Sequence, residues 1–131
     1  MAGRISDAIG RRPTLIAMVL LHCLATLTFY NTGGAILAVA WIAALFGYFA
    51  VEVMVNAMSG ELFPTGCRST ASTLRSICAM FAAVAGLAAE GLLYTALGSH
   101  SAAISILCLS SLCAIPVVLL LLRETSGTEL N

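Results

Sequence analysis

Glu52 and Glu90 each stand inside a long apolar stretch, and a carboxylate facing hydrocarbon costs a few kcal/mol or more. Such residues need a partner, a watery cavity or a task. Around Glu52 the polar and aromatic residues Trp41, Tyr48, Asn56 and Ser59 recur at intervals of seven, four, four and three, counting Glu52 itself in the series. That spacing puts all five on one face of a helix. On such a stripe Glu52 has three uses: holding a cationic solute, carrying a coupled proton, or pairing with an arginine. It is also close enough to one end of its stretch to reach water along its own stem. Glu90 is the second intramembrane carboxylate, to be matched either by a solute or by a helix from outside this chain. His22, one helical turn before Thr26, brings a side-chain type that changes charge near neutral pH; packing against a neighbour is its other use.

A second concentration of charge lies near the start, where "GRISDAIGRRP" at positions 3–13 holds four of the chain's twelve formal charges. Asp7, Arg11 and Arg12 stand there among glycines, which permit a tight turn, and the carboxylate can accept hydrogen bonds from a helix end or a guanidinium.

The elements that must position these residues follow from composition. Of 131 residues, 60% are hydrophobic and 9% charged, where a soluble domain carries roughly a quarter charged residues. Four apolar runs, at about 14–30, 36–58, 76–97 and 102–122, each have the length a helix needs to cross a hydrocarbon core of roughly 30 Å. "NTGG" at 31–34, "PTGCRST" at 64–70 and "GSHS" at 98–101 punctuate them. The fold class expected is therefore an all-α membrane protein with four transmembrane helices, solvated by the lipid bilayer. No cleavage pattern closes the first run as in a signal peptide.

With four spans, all six arginines fall on one side: Arg4, Arg11 and Arg12 before the first, Arg68 and Arg75 between the second and third, Arg123 after the fourth. The positive-inside bias assigns that side to the cytoplasm, placing both termini and the segments 1–13, 59–75 and 123–131 there. Which membrane this is carries no signature.

In the third span Ala82 with Gly86, and Ala85 with Ala89, have the four-residue spacing that lets helices approach closely. Pro116 is expected to bend the fourth, whose "VVLLLL" at 117–122 suits lipid. The five cysteines include no C-x-x-C pair and read as small apolar residues, with no metal site implied. No phosphate-binding loop, nucleophile elbow or zinc spacing is present, and a net charge of zero leaves no nucleic-acid patch. These features speak against an enzyme, a cofactor and a nucleic-acid partner.

Three stretches together resemble the major facilitator superfamily. Gly3, Asp7, Gly10, Arg11 and Arg12 form G-x-x-x-D-x-x-G-R-R, similar to the loop signature between helices two and three that recurs between helices eight and nine. "GELFPTGCRSTA" at 60–71 resembles the end of helix ten in sugar porters and their organic-ion and synaptic-vesicle-protein-like relatives, with its E-x6-R, here Glu61 and Arg68. "RETSGTEL" at 123–130 is similar to a degraded P-E-T-K-G-x-x-L tail after helix twelve. Their order and intervals match those of helices nine to twelve, so the resemblance implies a partial bundle, about a third of the family's fold, with Met1 just after the eighth helix.

Ala8 stands where the family usually has a basic residue, Arg123 replaces the tail proline and Ser126 its lysine. The Pro- and Trp-containing run that sugar porters carry before E-L-F is absent from "VNAMSGELFP", so an organic-ion or metabolite branch is favoured over a sugar branch. The resemblance further implies a cytoplasmic salt-bridge network among Asp7, Arg11, Arg12, Glu61 and Arg68, and a central cavity lined by the tenth helix, here the span of Trp41, Tyr48, Glu52 and Asn56. It implies the C-terminal part of a secondary transporter that moves a small organic solute by alternating access, completed by the missing N-terminal helices. A reading of another class is a stand-alone four-span assembly or regulatory subunit, completed by a partner chain.

Overall fold

The computed structural model describes residues 10–121, apart from the side chains at 61, 62 and 121. The helices are α1 (Arg11–Asn31), α2 (Ile36–Leu62), α3 (Arg68–Leu97), α4 (His100–Ser110) and α5 (Ala114–Leu121), with a tight 3-10 turn at Ser111–Cys113 between the last two. Taking α4 to α5 as one span, four helical stretches are long and apolar enough to cross a membrane. The described residues contain no strand, in agreement with an all-α membrane fold.

Local chemistry sets the helix ends. Gly10, at φ 112°, turns the chain into α1, and the Thr14 hydroxyl donates to the Gly10 carbonyl at 2.8 Å. Pro13 sits in the first turn, where no intrahelical N–H is needed. At the other end of α2, Phe63 is forced into extended backbone (φ −108°, ψ 137°) by the proline that follows it. Gly98 closes α3 in the left-handed region at φ 67°. The Ser99 hydroxyl then accepts from the Ala102 N–H at 3.4 Å and caps α4.

The helices outrun the apolar runs of the sequence. The second continues to Leu62 and the third begins at Arg68, so the segment 59–75 is mostly helical and only 63–67 links the two. Hydropathy marks the part of a helix that suits lipid; the polar turn "RSTASTLR" is helical without being apolar. Pro116 has no N–H to give the Leu112 carbonyl, and the backbone tightens into a 3-10 turn at Ser111–Cys113 just before it. The hydroxyls of Ser110 and Ser111 donate to the carbonyls of Leu107 and Cys108, each at 2.6 Å.

Helix α1 is central, touched by α2, α4 and α5. Its partner α2 turns a seam of Ala40, Ala44, Gly47, Ala50, Met54 and Met58 toward it, and each of these is buried. At the tightest point a Cβ on Gly47 would stand 2.9 Å from the His22 backbone nitrogen. Leu15, Met54, Met58 and Val118 form the core cluster at the arginine-bearing end.

The small-residue stripe of the third span does not make the close approach that its spacing suggests. Helix α3 has no buried residue, and a Cβ on Gly86 or Gly91 would meet nothing within 4 Å. The close approach is made instead by the alanines and glycine of α2, which are needed where two backbones meet within these four spans.

On the other side of α1, Cys23 and Cys108 are both buried with their sulfurs 3.4 Å apart. Each thiol also lies against the other's carbonyl, at 3.5 and 3.4 Å. Closing to the roughly 2.05 Å of a disulfide needs a small movement. A membrane-permeant oxidant that removes two electrons and two protons is expected to link Cys23 to Cys108 within one chain. Peptide mapping without reductant checks this; a cross-link of either residue to Cys67, Cys78 or Cys113 instead would contradict the α1–α4 packing.

Candidate functional site

Glu52 lies two residues from Met54, hence about 200° round the helix from the packing seam. The polar stripe is accordingly turned away from α1: Glu52 and Asn56 are exposed, as are Trp41 and Tyr48. The two aromatics also reach the edge of α1, Trp41 lying 5.1 Å from Phe29 and Tyr48 6.0 Å from His22 between ring centroids. Ser59 turns its hydroxyl back onto its own helix, donating to the Val55 carbonyl at 2.7 Å.

His22 meets the stripe at Tyr48. Its Nδ1 is 2.9 Å from the Ala44 carbonyl, and a carbonyl only accepts, so the proton is on Nδ1. The half-buried ring thus ties α1 to α2 beside Gly47. The Thr26 hydroxyl, one turn on, is buried with no hydrogen-bond partner among the described residues.

Glu90 finds its partner inside the chain. His100, first residue of α4, donates from Nδ1 to Glu90 Oε1 at 2.8 Å, and Tyr94 stacks on the His100 ring at 4.0 Å with 15° between planes. The sequence reading missed His100, because its ten-residue separation from Glu90 spans a helix end and a turn. The available signal was Tyr94, one turn beyond Glu90, with a histidine just past the Gly98–Ser99 cap. The imidazole is 62% exposed and the carboxylate 22%. The imidazole is exposed but the carboxylate is half-buried, so His100→Ala, which takes this donor from Glu90, is expected to lower stability by about 1–3 kcal/mol. Thermal unfolding of the purified protein checks it; a larger loss would mean that the hairpin carries more of the fold than its exposure implies.

At the opposite end stand the described arginines. Arg12 donates through its guanidinium to the Leu119 carbonyl of α5, and the Arg68 side chain passes 4.0 Å from where a Cβ on Gly60 would be. The ends of α2 and α3 that carry Glu61 and Arg68 are thus adjacent. Asp7 lies outside the described residues, and so does the Glu61 side chain.

Between α2 and α3 two hollows open. One, of about 570 Å³, is largely apolar, with Val55, Phe63, Leu74 and Cys78 in its walls. The other, of about 290 Å³, is lined by Glu52, Arg75, Ser76, Ala79, Met80 and Ala83. Arg75 borders both. The Arg75 Nε is buried with no hydrogen-bond partner among the described residues. Sequence reading placed Arg75 only as a flanking charge; its position seven residues inside α3, about 10 Å along the axis, was the clue to a deeper place. Among the described residues no group of three or more histidine, cysteine or carboxylate side chains is arranged to hold a metal ion.

A family model described as Major Facilitator Superfamily matches the chain over residues 1–131. No curated protein matches it.

Proposed function

We propose, from the premise that the chain belongs to the major facilitator superfamily, a family of integral multi-pass membrane transporters, that it is the C-terminal part of a secondary transporter for a small organic ion or metabolite. In this reading α1 to α5 correspond to helices nine to twelve, and both termini face the cytoplasm. The observation that carries it is the uneven burial of the four spans. Helix α1 is packed on several sides, whereas Glu52 and Asn56 of α2 are exposed and α3 has no buried residue. Lipid suits the Phe81, Leu87 and Leu92 side chains of α3, but not a carboxylate such as Glu52. A cavity shared with further helices suits Glu52, and rocking of two bundles about such a cavity moves a solute across.

An immunoblot of native membranes with an antibody against residues 123–131 tests this. A band several times larger than 13.6 kDa is expected. A band at 13.6 kDa alone would overturn the reading and favour a four-span subunit that finds its missing contacts in a partner chain.

A further inference from the structure

The smaller hollow between α2 and α3 carries both signs of charge. Glu52 and Arg75 line the same space of about 290 Å³, yet no ion pair closes between them among the described residues. Apart from Met80, the rest of the wall is kept low by Ser76, Ala79 and Ala83, which repeat at three and four residues along one face of α3. Larger side chains there would fill the space. The Ser76 hydroxyl is directed to the Ser72 carbonyl at 3.0 Å, so the two charged groups are left as the principal polar features of the hollow.

A cation held on Glu52 leaves Arg75 uncompensated in a medium of low dielectric, and an anion held on Arg75 leaves Glu52 so. A solute carrying both charges satisfies both walls, and a site of zero net charge is matched by a ligand of zero net charge. We infer that this hollow is a binding site for a small zwitterion, its ammonium on Glu52 and its carboxylate on Arg75. The guanidinium has the planar fork that suits a carboxylate. The volume, about 290 Å³, is just below the range for pockets that hold drug-sized ligands, about 300–1,000 Å³, which suits a solute of amino-acid size. This rests on the transporter reading for its biological use; the binding itself does not depend on it.

The test uses the protein as isolated from membranes, followed by thermal unfolding and by emission of Trp41, the single tryptophan. The zwitterions offered are glycine betaine, β-alanine and 4-aminobutyrate. The single-charge comparisons are choline and 3,3-dimethylbutanoate, the latter having the shape of glycine betaine without its cation. At least one zwitterion is expected to bind saturably and about tenfold or more tighter than both comparisons, and Glu52→Gln and Arg75→Gln each to weaken it by a similar factor. Should a single variant fold poorly, the exchange of charges in Glu52→Arg with Arg75→Glu is expected to restore zwitterion binding.

The inference is overturned if no zwitterion outdoes the single-charge compounds, or if both single variants bind within about twofold of wild type. Saturable uptake of a single-charge ion that the zwitterions do not compete for would keep the transporter reading and remove this one. Zwitterion binding without uptake would do the reverse.

Discussion

Gly47→Leu is expected to leave little folded protein, with most of the material lost to aggregate on extraction from the membrane. The physical cause is the contact of two helix backbones. A Cβ at position 47 would come within 2.9 Å of the His22 nitrogen and 3.0 Å of its Cα, and neither atom is the free end of a flexible side chain. Even Gly47→Ala forces α1 and α2 apart, at a cost of about 1–3 kcal/mol for overpacking, and it strains the His22 contact with Ala44 at the same place. Gly86→Ala is the control, since nothing lies within 4 Å of its added methyl. Thermal midpoints of the three variants beside wild type check the expectation. Equal stability of Gly47→Leu and wild type would show that the two helices do not meet there.

Glu52→Gln is the second large expected effect, this time on activity. In the proposed transporter, removing the charge takes away a charge-assisted hydrogen bond to the solute, of about 1.5–3 kcal/mol, which corresponds to a loss of roughly tenfold or more in uptake. Stability should hardly change, because Glu52 is exposed on α2 and makes no ion pair among the described residues. Uptake into vesicles containing equal amounts of folded wild-type and variant protein separates the two effects. Unchanged uptake would remove Glu52 from the transport path and leave it a flanking charge.

Much of the architecture was readable from hydropathy, because bilayer thickness imposes a length on every span and turn residues mark the ends. The first three apolar runs lie along α1, α2 and α3, whereas the fourth is divided by the 3-10 turn at Ser111–Cys113, and polar turns such as Arg68 to Arg75 extend α3 beyond what hydropathy can register. The face of α2 bearing Glu52 was also legible, since helical period alone separates it from the Met54 seam. Helix-to-helix matching was not. Alanine and glycine spacing is as good in α3 as in α2, and sequence does not say which stripe meets a neighbour. The Glu90–His100 pair and the approach of Arg75 to the Glu52 hollow depend on how turns align two helices, a relation with no periodic signature.

The pairing of Cys23 with Cys108 joins residues 85 positions apart. During synthesis at about 5–20 residues per second, α1 therefore waits roughly 4–17 s for α4 to emerge. The α1–α2 hairpin can close in that interval, because its own contacts are between neighbours in the sequence. Until α4 arrives, the Cys23 thiol has no helix over it, so a thiol reagent supplied to nascent chains meets a residue that the finished fold conceals. The moment at which Cys23 stops reacting thus dates the arrival of the fourth span.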